Sequence, residues 1–429
     1  MKILFFSPAP SNTDPNMCPF ILKRIEELQN KGIEVEVLQY GNLTINKFRK
    51  SQRKGLLGIL GNCKRLLIYI LNVIIGINID KKLYDINNVR YVYYDRICCS
   101  NLKSFHKWFK KNHFDFIHGH FLWFEELLPE LKEKFGIPYV ITCHGSDVHE
   151  TPFVDISKQR IFAEILNNSN HSFFVSDFLR KKALEFGFNN KKYSIIYNSV
   201  DSKIFFPKNN INENNNFPVL GFSGHTIKVK RVEILPQVLF NVRKVFPNAS
   251  LLLVGGENSS HDLTPFLREE IKSLGLEDCV ILTGAVLPEE VPKYMRVMDV
   301  LLLPSINEGF PCVAVESQFC GVPVIGSANG GIPEAVFTGI CVSESDDFVE
   351  DFSNAVIKYL KNPLNKEIVT DRVKNFTWED IVDNEVKVYE MIMKQETRNK
   401  KQETRNKKLL AKINLCQEVY ATFDIRSVA

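Results

Sequence analysis

The sequence predicts an α/β protein of two successive halves, each a parallel sheet covered by helices. Three observations carry this. Short apolar strands alternate with helices of about ten to fifteen residues, the texture of βαβ units. Near residues 207–218 the texture gives way to PKNNINENNNFP, polar, Asn-rich and bracketed by Pro207 and Pro218, which reads as a linker. The alternation then restarts. A length of 429 residues is enough for two such halves, each with its own core.

In order, KILFFS (2–7) reads as a buried strand, FILKRIEELQNKG (20–32) as an amphipathic helix stopped by Gly32, and IEVEVLQY (33–40) as an alternating second strand. FDFIHGH (114–120), IPYVITCHG (137–145), HSFFVS (171–176) and YSIIYN (193–198) read as further strands, with helices near 123–135 and 157–168 between them. After the linker come VLGFSG (219–224), ASLLLVGG (249–256), CVILTG (279–284), DVLLLPS (299–305), GVPVIGS (321–327) and GICVS (339–343). Helices are expected near 231–246, 262–274 and 289–297, and from about 312. Two α/β halves joined by a hinge leave a cleft, a usual place for ligands.

A hydrophobic share of 45% and a charged share of 24% are ordinary globular values, and a net charge of +4 gives no general basis for binding nucleic acid. The N-terminal apolar run is too short for a secretory segment, so the start reads as the first strand of a cytoplasmic protein. The 10 cysteines are scattered without a C-x-x-C, which fits core positions in a reducing compartment. Residues 44–79 carry Lys47, Arg49, Lys50, Arg53, Lys54, Lys64 and Arg65 and no acidic residue. Their apolar stretch, 55–77, is about long enough to span a bilayer, but Lys64 and Arg65 near its middle would each cost roughly 2.5–3.5 kcal/mol. An in-plane helix resting peripherally on an anionic membrane surface fits better, the alternative being a helical insertion packed on its own half. The tandem KQETRNK at 394–400 and 401–407 reads as a solvated helical extension, since two polar heptads cannot build a solenoid.

The densest chemistry lies in PSINEGFPCVAVESQFCGVPVIGSANGGIPEAV, residues 304–336. A strand ends at Pro304, which puts Glu308, Gly309 and Phe310 in a loop and Glu316 about one turn inside the following helix. A glycine-bearing loop beside a helix N-terminus offers N–H groups and partial positive charge to an anion. A carboxylate accepts two hydrogen bonds from the vicinal hydroxyls of a sugar or ribose. A second stretch, GFSGHTIKVKR (221–231), is a basic turn after a strand; a third, VITCHGSDV (140–148), leads a strand into His144, Gly145, Ser146 and Asp147. His118 and His120 point the same way along a strand without a third ligand, which favours strand-end packing over a metal site. No D-x-D pair to hold a metal on a diphosphate, no G-x-G-x-x-G and no G-K occur.

The first of these stretches resembles the E-G-F-[GP]-x5-E signature of the retaining GT-B glycosyltransferases of family four, and its flanking PS, CGVPVI and GGIPE elements match as well. The resemblance implies two Rossmann-like α/β domains facing each other across a cleft. It implies that Glu308 holds hydroxyls of the donor sugar, that Glu316 holds the ribose hydroxyls, and that the amides of Gly309 and Phe310 lie near sugar and phosphate. Residues 221–231 resemble the family's G-R-x4-K-G turn, whose basic residues grip the donor diphosphate. Gly224 and Lys230 match, while His225 stands where Arg is usual and Arg231 where Gly is usual. Because an imidazole does not replace a guanidinium on phosphate, charge would come from Lys228, Lys230 and Arg231. HGSD resembles the H-G-x-D stretch of teichuronic-acid and exopolysaccharide transferases, which implies His144 beside the transferring sugar and Asp147 on the acceptor side.

Weaker matches at 175–187, 195–201 (with Ser199 for Gly) and 376–392 extend the resemblance to about residue 393, whereas the first loop, SPAPSNTDPNMCPF, lacks the usual Gly-Gly pair. The expected organisation is then an acceptor-binding domain at 1–206 with the insertion 44–79, a linker at 207–218 and a nucleotide-sugar-binding domain at 219–375. A closing helix at 376–393 would pack back on the first domain, ahead of a polar tail at 394–429. The expected activity is metal-independent, retaining transfer, with His144, Glu308 and Lys230 catalytic. No cofactor is expected; the sugar would go from a nucleotide-sugar donor to a glycan or lipid-linked acceptor in cell-surface polysaccharide synthesis. The alternatives are a nucleotide-sugar epimerase of the same fold and a catalytically silent sugar-nucleotide binder.

Overall fold

The structure, a computed structural model, describes residues 1–7, 19–40, 81–86, 89–94, 102–122, 127–207, 217–256 and 261–424. The readings of residues 44–79, of the first loop and of most of the linker lie outside these.

Residues 1–381 form one compact unit containing two sheets. Strands of the first are β1 (Lys2–Phe6), β2 (Glu34–Tyr40), β3 (Lys81–Ile86), β4 (Val89–Tyr94), β5 (Phe116–His120), β6 (Tyr139–Cys143), β7 (His171–Phe174) and β8 (Tyr193–Ile195). They stand in the order β3-β4-β2-β1-β5-β6-β7-β8. All neighbours are parallel except β3 and β4, an antiparallel pair at one edge. The second sheet holds β9 (Val219–Ser223), β10 (Ser250–Val254), β11 (Val280–Leu282), β12 (Val300–Leu303), β13 (Val324–Ser327) and β14 (Gly339–Val342). Its order, β11-β10-β9-β12-β13-β14, is all parallel and follows the doubly wound pattern.

Strands covered on both faces are expected to be largely apolar, as β1 from Ile3 onward and β12 are. Ile3, Leu4, Phe5 and Phe6 are fully buried, as are Leu301, Leu302 and Leu303 within 1%. Expected helices are present at Pro19–Asn30, Leu127–Phe135, Ser157–Asn168, Thr264–Ser273 and Cys312–Phe319. The helix expected near 231–246 is confined to Leu235–Arg243, because two short 3-10 turns occupy Lys228–Lys230 and Val232–Ile234 first. Among the elements that the sequence pattern did not yield are the strands β3 and β4 and the helices Leu102–Asn112 and Phe348–Lys361.

The second unit, 382–429, continues one helix, Trp378–Asp424, straight through the expected break at 393–394. Its repeat is exposed, with a Glu403–Lys407 ion pair of 2.7 Å one turn apart. Among the described residues no helix is long and apolar enough to cross a membrane. The described cysteines, Cys143, Cys279, Cys312, Cys320 and Cys341, are all free thiols.

Candidate active site

In a doubly wound sheet the connections leave one strand in opposite directions, and a crevice opens at the carboxyl ends where they diverge. In the second sheet that point lies between β9 and β12. The segment after β9 supplies Lys230 and the segment after β12 supplies Glu308. Their side chains meet at 2.5 Å between Lys230 Nζ and Glu308 Oε1, 22% and 16% exposed. Two residues 78 apart in sequence therefore share one site because the topology, not the local sequence, places both loops at one edge.

The Glu308 loop is held from below. Asn307 adopts a left-handed backbone, φ 56°, tolerated by asparagine, and its N–H donates to Asn329 Oδ1 at 2.9 Å. Gly331 N–H donates to the Glu308 carbonyl at 2.8 Å. The helix Cys312–Phe319 follows at once and carries Glu316. Burial raises the Glu316 carboxyl to about 7. Burial, with Glu316 and Glu308 nearby, pushes the Cys312 thiol up to about 12, so it stays protonated. Phe310 is buried, its ring stacked on that of Tyr197 with centroids 5.0 Å apart.

Gly224 adopts φ 151° and donates its N–H to the Val254 carbonyl at 2.9 Å, and His225 follows on the exposed side of the turn. Arg231 takes φ 50°, the left-handed region that glycine occupies without strain. Its guanidinium is committed elsewhere: it pairs with Glu344 at 2.9 Å and lies 4.6 Å over the Phe348 ring. Of the basic residues expected on the diphosphate, Lys230 is thus brought to the Glu308 site, whereas Arg231 is held at Glu344.

The first sheet brings its own carboxyl edge against this loop. A Cβ on Gly309 would lie 2.4 Å from the His144 carbonyl oxygen, so only glycine permits that approach. His144, just past β6, is buried and neutral: burial, then the charge of Arg24, depresses its pKa well below the usual value. Asp147, expected on the acceptor side, is fully buried. Its Oδ1 accepts the N–H groups of His144 (3.2 Å) and Gly145 (2.8 Å), and its Oδ2 that of Leu122 (3.3 Å). Three converging amides draw the carboxylate inward, so Asp147 staples the His144–Gly145 turn. Burial nonetheless raises its pKa to about 6 against the lowering effect of those amides.

The sequence reading missed two residues here. His149 lies beside Gly145; burial lowers its pKa, opposed first by the charge of Glu150 and then by that of Glu308. Glu334, inside the quoted GGIPE, accepts the amides of Asp177 (2.7 Å) and Phe178 (2.9 Å), capping the helix Asp177–Glu185 of the first half from the second. Its motif was visible, but its partners were not. His118 and His120 do lie on one face, their rings stacked 4.2 Å apart. Among the described residues no group of three or more His, Cys, Asp or Glu is placed to hold a metal ion.

Comparison with known proteins bears on this arrangement. The D-inositol 3-phosphate glycosyltransferase of Stackebrandtia nassauensis is 25% identical over 311 residues, covering 65% of this chain and 68% of that one. Sucrose-phosphate synthase of Thermosynechococcus elongatus superposes with a TM-score of 0.68 at 18% identity, covering 92% of this chain and 99% of its own. Anabaena HepE, in complex with UDP and glucose, superposes at 0.65 and 16% identity over 91% and 100% of the two chains. These likenesses show the GT-B fold of two Rossmann-like domains. The model of Glycosyltransferase Family 4 matches residues 21–203 and that of glycosyl transferases group 1 matches 202–376, together spanning most of the sequence. The chain belongs to this family of glycosyltransferases.

Proposed function

We propose that the protein transfers a hexose from a nucleoside-diphosphate donor to a glycan or lipid-linked acceptor of the cell surface, with retention and without a metal ion. The observation that carries this reading is the Lys230–Glu308 pair at the β9/β12 switch point, facing the His144–Gly145 turn. Breaking the anomeric C–O bond leaves negative charge on the departing diphosphate. Lys230, Lys228 and the amides leading into the helix Cys312–Phe319 supply the compensating positive charge. Glu308 accepts sugar hydroxyls and Glu316 those of the ribose, while His144 lies beside the sugar. The acceptor oxygen attacks the face the phosphate leaves, and its proton passes to the leaving phosphate oxygen. Anabaena HepE, in complex with UDP and glucose, supports a nucleotide donor in this fold. The basic segment 44–79 supports an acceptor at the inner face of an anionic membrane.

The test is a panel of nucleotide sugars. A true donor raises the melting temperature by mass action, and nucleoside diphosphate release then depends on added acceptor, with product anomers read by NMR. Conversion of the donor to an epimer without acceptor, or binding with no turnover across a broad acceptor panel, would overturn the reading.

A further inference from the structure

Glu334 lies in the second half, in the short helix Ile332–Ala335, yet its carboxylate is held by three donors from the first. Its Oε2 accepts the Asp177 N–H at 2.7 Å and the Tyr197 hydroxyl at 3.3 Å, and its Oε1 accepts the Phe178 N–H at 2.9 Å. The two amides open the helix Asp177–Glu185, where the dipole favours a negative charge. That helix already has a cap of its own, since Ser176 Oγ accepts the Leu179 N–H at 3.3 Å. The Asp177 carboxylate is drawn along the helix to Arg180 at 2.6 Å and Lys181 at 2.9 Å, which leaves the first amides to Glu334.

The other side of the same segment supports the Glu308 loop. Gly331 accepts the Glu334 N–H at 3.2 Å and donates its own N–H to the Glu308 carbonyl at 2.8 Å. A Cβ on Gly331 would collide with the Gly309 carbonyl and meet Ser176 Cβ at 3.2 Å, so this backbone is wedged between the loop and the first half. Tyr197, whose hydroxyl Glu334 accepts, stacks on Phe310 of the same loop. Parting the halves would strip the carboxylate of all three donors at once and separate Tyr197 from Phe310.

We infer that Glu334 is a positioning residue: it latches the two halves together and thereby sets the Glu308 loop against the His144–Gly145 turn. Its effect on transfer rests on the proposed function; the latch does not.

Two measurements separate these, with Ser176→Ala as the control. That variant removes the helix's internal cap and keeps the Cβ that meets Gly331. In hydrogen exchange read by mass spectrometry, Glu334→Ala is expected to speed exchange at 140–150 and 305–312 as well as at 176–180. Ser176→Ala is expected to speed it at 176–180 alone. Faster exchange confined to 176–180 in Glu334→Ala overturns the latch whatever reaction the enzyme performs. In kinetics, Glu334→Ala is expected to lose roughly tenfold to a hundredfold in kcat, since a displacement of about 1 Å is enough to cost that much. Its Kd for the nucleoside diphosphate of the verified donor, read by calorimetry, is expected to stay nearly unchanged, and Ser176→Ala to keep a near wild-type kcat. Equal kcat in the two variants overturns the positioning role. If Lys230→Ala keeps full transfer while Glu334→Ala shows the wider exchange pattern, the proposed function fails and the latch stands.

Discussion

Glu316 shows how burial converts a carboxylate into a sensor near neutrality. Removed from water it favours the neutral acid, which places its pKa at about 7. Ribose hydroxyls donate more strongly to the charged form. Donor KM is therefore expected to rise as pH falls through 7, and Glu316→Gln to flatten that dependence, as steady-state kinetics on either side of neutrality would show. Between the ordinary glutamate range and about 7 the folded chain holds a proton that the unfolded chain has released. Stability should consequently fall as pH rises across that window, and the glutamine variant should lose this slope. At Asp147 an asparagine would keep an acceptor but set an NH2 group against amide donors. Asp147→Asn should cost about 1–3 kcal/mol in denaturant unfolding and reduce kcat by loosening the His144 turn. The loop position of Glu308 and the helix position of Glu316 were legible from spacing after a strand, whereas Lys230 was singled out by its resemblance to the family's basic turn. The inward turn of Asp147 was not legible, because it depends on Leu122 as well as on its own loop.

Among the elements, buried parallel strands announce themselves, since both faces demand apolar residues and the run is continuous. The β3–β4 pair does not: KKLYDI is partly charged, and pairing at an edge asks little of its sequence. The helix Phe348–Lys361 carried a readable signal, with Phe348, Phe352, Ala355, Val356 and Tyr359 buried at helical spacing. Contacts between loops were beyond reach of any local pattern. Gly309→Ala places a methyl against the His144 carbonyl, so the loops after β6 and β12 must separate. The expected result is a marked fall in kcat while the far-ultraviolet circular dichroism stays unchanged. Glu334→Ala removes a carboxylate cap from the helix Asp177–Glu185 and should cost about 0.5–2 kcal/mol, read as a lower unfolding midpoint.

At the scale of the whole molecule, the compact unit sets the carboxyl edge of one doubly wound sheet against that of the other. Each sheet alone offers a crevice; together they place the Lys230–Glu308 pair and a turn held by the buried Asp147 around one seam. The two-half plan was legible because the strand–helix rhythm stops at an Asn-rich stretch and starts again. The closeness of the seam was not, because Gly309 and Gly331 say only that a backbone comes near, not which one. In the proposed reaction Lys230 compensates the charge of a departing diphosphate. The most direct test is the single-turnover transfer rate of Lys230→Ala with a verified donor and acceptor. A fall of about a hundredfold to a thousandfold is predicted, the size of losing one preorganised donor to a developing anion; transfer at the wild-type rate would contradict the account.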